Sequence, residues 1–297
     1  MKTVIYIFGF FLLSSFSVFS QSKIVVFQTD FGLKDGAVAA MKGVSMSVSQ
    51  DLKLFDLTHE IPAYNIWEAA YRLEQTASYW PRGSVFVSVV DPGVGTERKS
   101  VVVKTKSGHY FVGPDNGTFT LIAESLGIEE VHEIDEALNR RQNSQASYTF
   151  HGRDVYAYTG ARLAAGVITL GQVGKRLPND VVRISYQKAK LEANNIVGNI
   201  PILDIQYGNV WTNIPADLLK KWGIKAGQKV KVTIWDGSQQ VFEENIPFAN
   251  TFGEVPEGQN LCYLNSLLQF SLAINMGDFA GKYGIKSGPD WKIKISK

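Results

Sequence analysis

From Lys23 onward the chain alternates short, continuous apolar runs with longer stretches whose apolar residues recur at helical spacing. In order these are "KIVVFQTD", "DGAVAAMKGVSMSV", "LKLFDLT", "IWEAAYRLEQTASYW" and "SVFVSVVD". Val- and Ile-rich runs with no polar face predict strands buried on both sides, and the helical stretches between them predict crossover connections. Together they predict an α/β domain around a largely parallel sheet. The pattern persists to about Ile184 and loses its character across "QKAKLEANN". Short strand-like segments with turns follow: "NIPILDIQYGNVWTNI", "QKVKVTIWDGSQQVFEE" and "NLCYLNSLLQFSLAI", with "WDGS" as a hairpin turn. The expected organisation is an N-terminal α/β domain over residues 22–190 and a smaller, mainly β domain over residues 191–297.

Three of the apolar runs end on an acid, at Asp30, Asp56 and Asp91. In an open parallel sheet the carboxyl ends of the strands share one edge, and ligands bind there. Any one of these acids is accounted for by a turn or a helix cap. Three on one rim predict a site.

Composition narrows the partner. With 45% apolar and 20% charged residues over 297 positions, the chain can bury a large core. Lys and Arg (30) nearly balance Asp and Glu (28), and no basic run exceeds two residues. The electrostatic footprint for nucleic acid is therefore missing, and a small molecule is the expected partner. The first residues, "MKTVIYIFGFFLLSSFSVFSQS", place Lys2 before an apolar stretch, with Val18 and Ser20 ahead of Gln21. Residues 1–21 read as a signal peptide and predict export to the periplasm or beyond, with an uncleaved membrane anchor as the alternative. The single cysteine, Cys262, lies in apolar "LCYLNSLL" and reads as a buried structural thiol, with no disulfide framework.

The candidate chemistry is an acid, an arginine and a histidine. "DPGVGTERKS" puts Asp91 and Arg98 around a tight turn, and "TFHGRD" puts His151 after an apolar residue at the start of a helix. Alone, the first is an ordinary turn and the second a core or capping histidine. His59, His109 and His132 lie among polar neighbours and are expected at the surface. Asp115 and Asn116 in "GPDNGTFT" read as turn residues. "LDIQYGNVWTNIP" brings Asp204, Tyr207 and Asn209 close together, a set suited to a ribose and a base or to a plain turn. Phe252 in "NTFGEVPEGQN" either stacks on a base or fills core space. G-x-G-x-x-G after a strand, the Walker loop, H-E-x-x-H, C-x-x-C and G-x-S-x-G are all absent, so nicotinamide, nucleotide triphosphate, zinc and serine-hydrolase readings lack their carriers.

The ordered set "TDFG" (Thr29 to Gly32), Asp35, "DPGVGTERKS", "GPDNGT", "TFHGRD", "YGNVWTNI" and "TFGEVPEG" through "YLNS" resembles the S-adenosyl-L-methionine hydroxide adenosyltransferases, relatives of the fluorinase and chlorinase. The resemblance spans the chain after the leader. It implies a C-terminal β-barrel domain and a homotrimer whose ligand lies between the N-terminal domain of one subunit and the C-terminal domain of the next. The implied reaction is S-adenosyl-L-methionine plus water giving adenosine and L-methionine, with no metal and no cofactor. In the family an Asp, Arg and His serve the water, and the matching positions are Asp91, Arg98 and His151. Asp30 matches the acid at the ribose hydroxyls, and Tyr64 an aromatic lining the substrate. Asp204 and Asn209 match positions at the methionine end, Phe252 an aromatic at adenine, and Asn265 and Ser266 complete the pocket.

The halogenating relatives carry Tyr at the place of Asp91 and Ser at the place of Gly152, where a halide is gripped. An acid would repel a halide, so water is the expected nucleophile. A neutral His151 beside Arg98 would be the natural proton acceptor, with Asp91 orienting Arg98 and the water, and the sequence leaves open whether His151 or Arg98 handles the proton. Two alternatives stand beside hydrolysis: an exported nucleoside-binding protein without turnover, and a halide-dependent adenosyltransferase.

Overall fold

The computed structural model describes residues 22–297; the leader read at residues 1–21 lies outside the described residues. The first sheet is built from β1 (Ile24–Thr29), β2 (Lys53–Thr58), β3 (Val85–Val89), β4 (Ser100–Thr105), β5 (Tyr110–Pro114), β6 (Ile128–Glu133) and β7 (Arg176–Leu177). Their spatial order is β2-β1-β3-β5-β4-β6-β7. The first four in that order run parallel, and β4, β6 and β7 add antiparallel pairs. Two long helices, α1 (Ala37–Val48) and α2 (Ile66–Ala77), make the crossovers between the parallel strands. Shorter helices α3 (Thr120–Ser125) and α4 (Glu136–Asn139) follow, and then a π-helical turn, Gly152–Ala157, runs into α5 (Tyr158–Ala164).

Along β1 and β3 the continuous apolar runs are needed because both faces of the sheet are covered there, whereas β2, at the sheet edge, is largely exposed. Side chains alternate along a strand. Val25, Phe27, Val85 and Val87 accordingly pack with Met41 of α1 and Ala161 of α5 on one face. Val26, Phe86, Val101 and Phe111 pack with Leu73 of α2 and Ile122 of α3 on the other. At Gly160 the α5 backbone lies so close to the sheet that an added Cβ would sit 2.6 Å from Val87 Cγ2.

The C-terminal part contains two antiparallel sheets. One comprises β10 (Ile202–Asp204), β11 (Asn209–Pro215), β14 (Asn260–Leu264) and β15 (Gln269–Ile274); the other comprises β8 (Lys190–Glu192), β9 (Asn195–Asn199), β12 (Lys229–Asp236), β13 (Gln239–Pro247) and β16 (Trp291–Ser296). They share one apolar core that includes Ile196, Val210, Val232, Phe270 and Ile293. Just past β13, a bridge between Phe248 and Cys262 ties one sheet to the other at a corner. The "WDGS" turn closes β12 onto β13 with Gly237 at φ +58°. Helices α6 (Ala216–Trp222) and α7 (Phe279–Tyr283) cap this core. Cys262 is fully buried in it, and burial pushes its thiol pKa up, as suits a structural thiol.

The two parts meet along α2. Trp67 Nε1 donates to the Pro201 carbonyl at 2.9 Å, and Trp67, Tyr71 and Leu121 enclose Ile202. Among the described residues no helix is long and apolar enough to cross a membrane.

Two sequence expectations are corrected. His59, His109 and His132 are buried, because their polar neighbours serve the rings from inside. His59 lies between Thr29 Oγ1 and Asp56 Oδ1, both at 2.9 Å, His109 Nε2 reaches the Trp80 carbonyl, and His132 Nδ1 reaches that of Gly174. Asp56 does not join the rim. Strand β2 continues past it to Thr58, and its carboxylate is taken by Lys42 at 2.6 Å and His59.

Replacing Gly160 with Ala should force α5 off β3 at a cost of about 1–3 kcal/mol and lower the melting temperature by several degrees. Thermal unfolding followed by circular dichroism measures this. An unchanged midpoint would mean the helix is not held at that distance.

Candidate active site

Asp30 and Asp91 follow β1 and β3, adjacent parallel strands, and so emerge side by side at the carboxyl edge. After Asp91 the chain turns back on itself. Val94 N–H donates to the Asp91 carbonyl, Thr96 N–H donates to the Gly93 carbonyl, and Gly95 takes φ +79°. This reversal returns Arg98 to Asp91: Arg98 Nε lies 3.0 Å from Oδ1 and Nη2 lies 2.6 Å from Oδ2. Such a two-pronged contact fixes the carboxylate in plane as well as in position. Asn116 steadies the base of the loop by donating to the Val90 carbonyl, and Asp115 accepts from Val182 N–H.

His151 enters from the other side, on the residue before the π-helical turn. Its Nδ1 lies 3.0 Å from Arg98 Nη2 and its Nε2 lies 3.0 Å from Arg140 Nη2. Burial holds its pKa below the ordinary histidine value, Arg98 and Arg140 push it the same way, and Glu136 and Asp91 oppose. Behind the cluster Ser100 Oγ meets Arg98 Nη1 at 3.0 Å and the Tyr156 hydroxyl at 3.1 Å. Burial pushes the Tyr156 hydroxyl pKa well up, so it stays protonated.

The carboxylate of Asp30 is oriented separately. Its Oδ2 accepts from the backbone N–H of Tyr64, whose φ of +68° turns that N–H toward it. Asp30, Phe31, Tyr64, Asp91, His151 and Gly152 line one cavity of about 240 Å³. A Cβ on Gly152 would come within 3.2 Å of Val89 Cγ1 and 3.3 Å of the Phe31 ring.

The remaining candidates gather elsewhere. Asp204, Asn209, Phe252, Asn265 and Ser266 line a second cavity of about 730 Å³ in the C-terminal part. Asn209 Nδ2 donates to Asp204 Oδ2 at 3.1 Å, and Phe252 packs on Tyr263 with ring centroids 4.9 Å apart. The Asn265 Oδ1 closes its own turn by accepting from Leu267 and Gln269, while its Nδ2 is buried without a partner. An orphaned donor in a cavity wall is a place for a ligand acceptor. Ile205, Tyr207 and Met276 are exposed in this cavity's lining. Among the described residues, none lines both cavities.

Arg140, Glu136, Tyr156 and Asp278 were not singled out in the sequence. Arg140 sits in "LNRRQNS", whose only signal is a pair of basic residues, and Asp278 lines the second cavity from a segment that reads as a turn, whereas Trp211 stands within the quoted "YGNVWTNI". Among the described residues, no group of three or more His, Cys, Asp or Glu side chains is arranged to hold a metal ion.

Residues 25–174 match the SAM hydroxide adenosyltransferase N-terminal domain and residues 198–292 the C-terminal domain of the same family. An (R)-S-adenosyl-L-methionine hydrolase of Methanocaldococcus jannaschii is 42% identical over 65% of this chain and 68% of its own length. A fluorinase of Nocardia brasiliensis is 30% identical over 92% of this chain and 97% of its own. The crystal structure of an uncharacterized conserved protein from Thermotoga maritima superposes with a TM-score of 0.82 at 35% identity, covering 92% of this chain and 100% of that one.

Replacing Asp91 with Ala would leave the partly buried Arg98 guanidinium without its carboxylate and should destabilise the fold by about 1–3 kcal/mol. Adding Arg98→Met should restore part of that loss. Urea unfolding of the single and double variants measures both, and additive losses would show that the pair is not coupled.

Proposed function

Because the chain belongs to the SAM hydroxide adenosyltransferase family and is an S-adenosyl-L-methionine-processing enzyme, we propose that it hydrolyses S-adenosyl-L-methionine to adenosine and L-methionine by in-line attack of water at the ribose C5′. The observation that carries this reading is Asp91. A carboxylate held flat by Arg98 opens on a cavity that also contains Asp30, and the crowding at Gly152 leaves little space for a larger side chain there. An anion in that position disfavours a halide and favours a water molecule as hydrogen-bond donor.

The chemistry asks little of a leaving-group acid. Water oxygen forms a bond to C5′, the C5′–S bond breaks, and its electron pair passes to sulfur, which leaves as a neutral thioether. The new hydroxyl carries an extra proton and is strongly acidic as it forms, so a carboxylate is a sufficient acceptor. We assign that proton to Asp91 and from there to solvent. This differs from the expectation that His151 is the acceptor, because both of its ring nitrogens already face guanidinium groups. In this reading Arg98 holds Asp91 in line, and Asp30 takes the ribose hydroxyls.

The second cavity supplies the rest of the substrate site from a neighbouring subunit. Asp204, Asn209, Phe252, Asn265 and Ser266 share no cavity with Asp91 in one chain, and exposed Ile205, Tyr207 and Met276 give their cavity an apolar rim suited to being covered. A homotrimer with three inter-subunit sites is the proposed assembly. Residues 1–21, as a leader, would deliver it outside the cytoplasm.

Chromatography of the protein incubated with S-adenosyl-L-methionine should show equal adenosine and methionine, at the same rate with and without chloride. Asp91→Asn should lower kcat by about 10²-fold or more with little change in KM. Bound adenosine without product would favour the binding-protein alternative, and a chloride-dependent nucleoside product would favour halide transfer. Mixing the inactive Asp91→Asn and Asp204→Ala chains, after dissociation and reassembly, should restore part of the activity. Restoration fails if each site belongs to a single chain.

A further inference from the structure

His151 is placed between two guanidinium groups, and each of those is tied to its own carboxylate. Arg98 Nη2 contacts Asp91 Oδ2 at 2.6 Å and His151 Nδ1 at 3.0 Å. On the opposite side, Arg140 Nη2 contacts Glu136 Oε2 at 2.7 Å and His151 Nε2 at 3.0 Å. The arrangement reads carboxylate, guanidinium, imidazole, guanidinium, carboxylate. Arg140 is itself fixed: its side chain is buried and its Cζ lies 4.8 Å from the centre of the Tyr148 ring.

A guanidinium has only donors. A neutral imidazole has one lone pair and can accept from one of the two arginines, whereas an imidazolium would present N–H groups to N–H groups on both sides and make a third cation in contact with two others. We propose that Arg140 is a positioning residue that works with Arg98 to keep the His151 ring uncharged, and so keeps the cluster electrically neutral where a sulfonium substrate must approach. The two carboxylates and two guanidiniums cancel. A charged ring would leave a net positive cluster opposite a cationic substrate. The inference rests on the proposed reaction for its purpose, although the state of the ring can be measured without substrate.

The charged and titratable groups facing the ring come from several elements. Asp91 and Arg98 lie in the loop after β3. Glu136 belongs to α4, with its Oε1 3.8 Å from Nδ1, and Arg140 follows that helix. Tyr148 precedes the ring and Tyr156 lies on the π-helical turn, with ring centroids 6.5 and 6.4 Å from that of His151. Removing Arg140 takes away a cation, opens the site and frees Glu136, and each change favours the charged ring. Removing the Glu136 charge acts in the opposite sense.

The test is the titration of His151 by two-dimensional NMR of protein labelled with ¹⁵N-histidine, assigned by loss of its signal in His151→Gln. In the native chain the midpoint should lie below the ordinary value of about 6.5. In Arg140→Met it should rise by about one pH unit or more, in Arg140→Lys it should stay close to native, and in Glu136→Gln it should fall. The acid limb of S-adenosyl-L-methionine turnover, with activity lost as pH drops and the ring charges, should move with the midpoint. Midpoints that do not move, or that move the same way in Arg140→Met and Glu136→Gln, overturn the inference; Glu136→Gln, a change at a half-exposed side chain, keeps the test open if Arg140→Met does not fold. Opposite shifts in a protein with no turnover would support the role of Arg140 and overturn the proposed reaction, so the two failures are distinguishable.

Discussion

The contact between Asp91 and Arg98 organises the N-terminal half of the candidate site. Six residues separate the two, and the turn between them must reverse the chain within that length for the guanidinium to meet both carboxylate oxygens. Once the pair is closed, Arg98 Nη1 is available to Ser100, Nη2 reaches His151 as well as the carboxylate, and the Tyr156 hydroxyl is drawn toward the same carboxylate at 3.5 Å. A partly buried ion pair such as this one is costly to break, because each charge would be left without its partner. Here the geometry sets an acid at the mouth of a cavity and a histidine beside it.

The sheet explains why the acid is there. Four parallel strands place Asp30 and Asp91 on one edge, while the antiparallel addition of β4 carries the returning chain from Arg98 back into the sheet at Ser100. The same strand that receives Arg98 therefore fixes Ser100 beneath it. On the far side, Gly160 allows α5 to lie against β3, and the π-helical turn before α5 sets His151 over the end of that strand. The close helix packing and the position of the histidine are two consequences of one element.

In the proposed reaction the two cavities divide the work between the halves of the chain. The smaller one holds charged groups fixed by ion pairs and backbone hydrogen bonds, which suits the reacting end of a substrate. The larger one is lined by aromatic side chains with an orphaned amide donor at Asn265, which suits recognition of a planar ring and a polar end. Because none of the described residues lines both cavities, the proposed site includes a neighbouring subunit.

Much of this was written in the sequence because it depends on local periodicity. Buried parallel strands need unbroken apolar runs and crossover helices need a helical repeat, so the division into an α/β part and a β part could be read directly. Asp91, Arg98 and His151 stand in short segments whose turn chemistry is local too. Burial was less legible: His59, His109 and His132 have polar neighbours in sequence, and only the packing shows that those neighbours meet the rings inside the fold. Asp56 looked like a strand end, yet pairing extends β2 to Thr58 and gives its charge to Lys42 of α1. Arg140 was invisible for the same reason. Its contact with His151 joins the end of one short helix to the start of another eleven residues on, and such a meeting is set by tertiary packing, which no periodicity records.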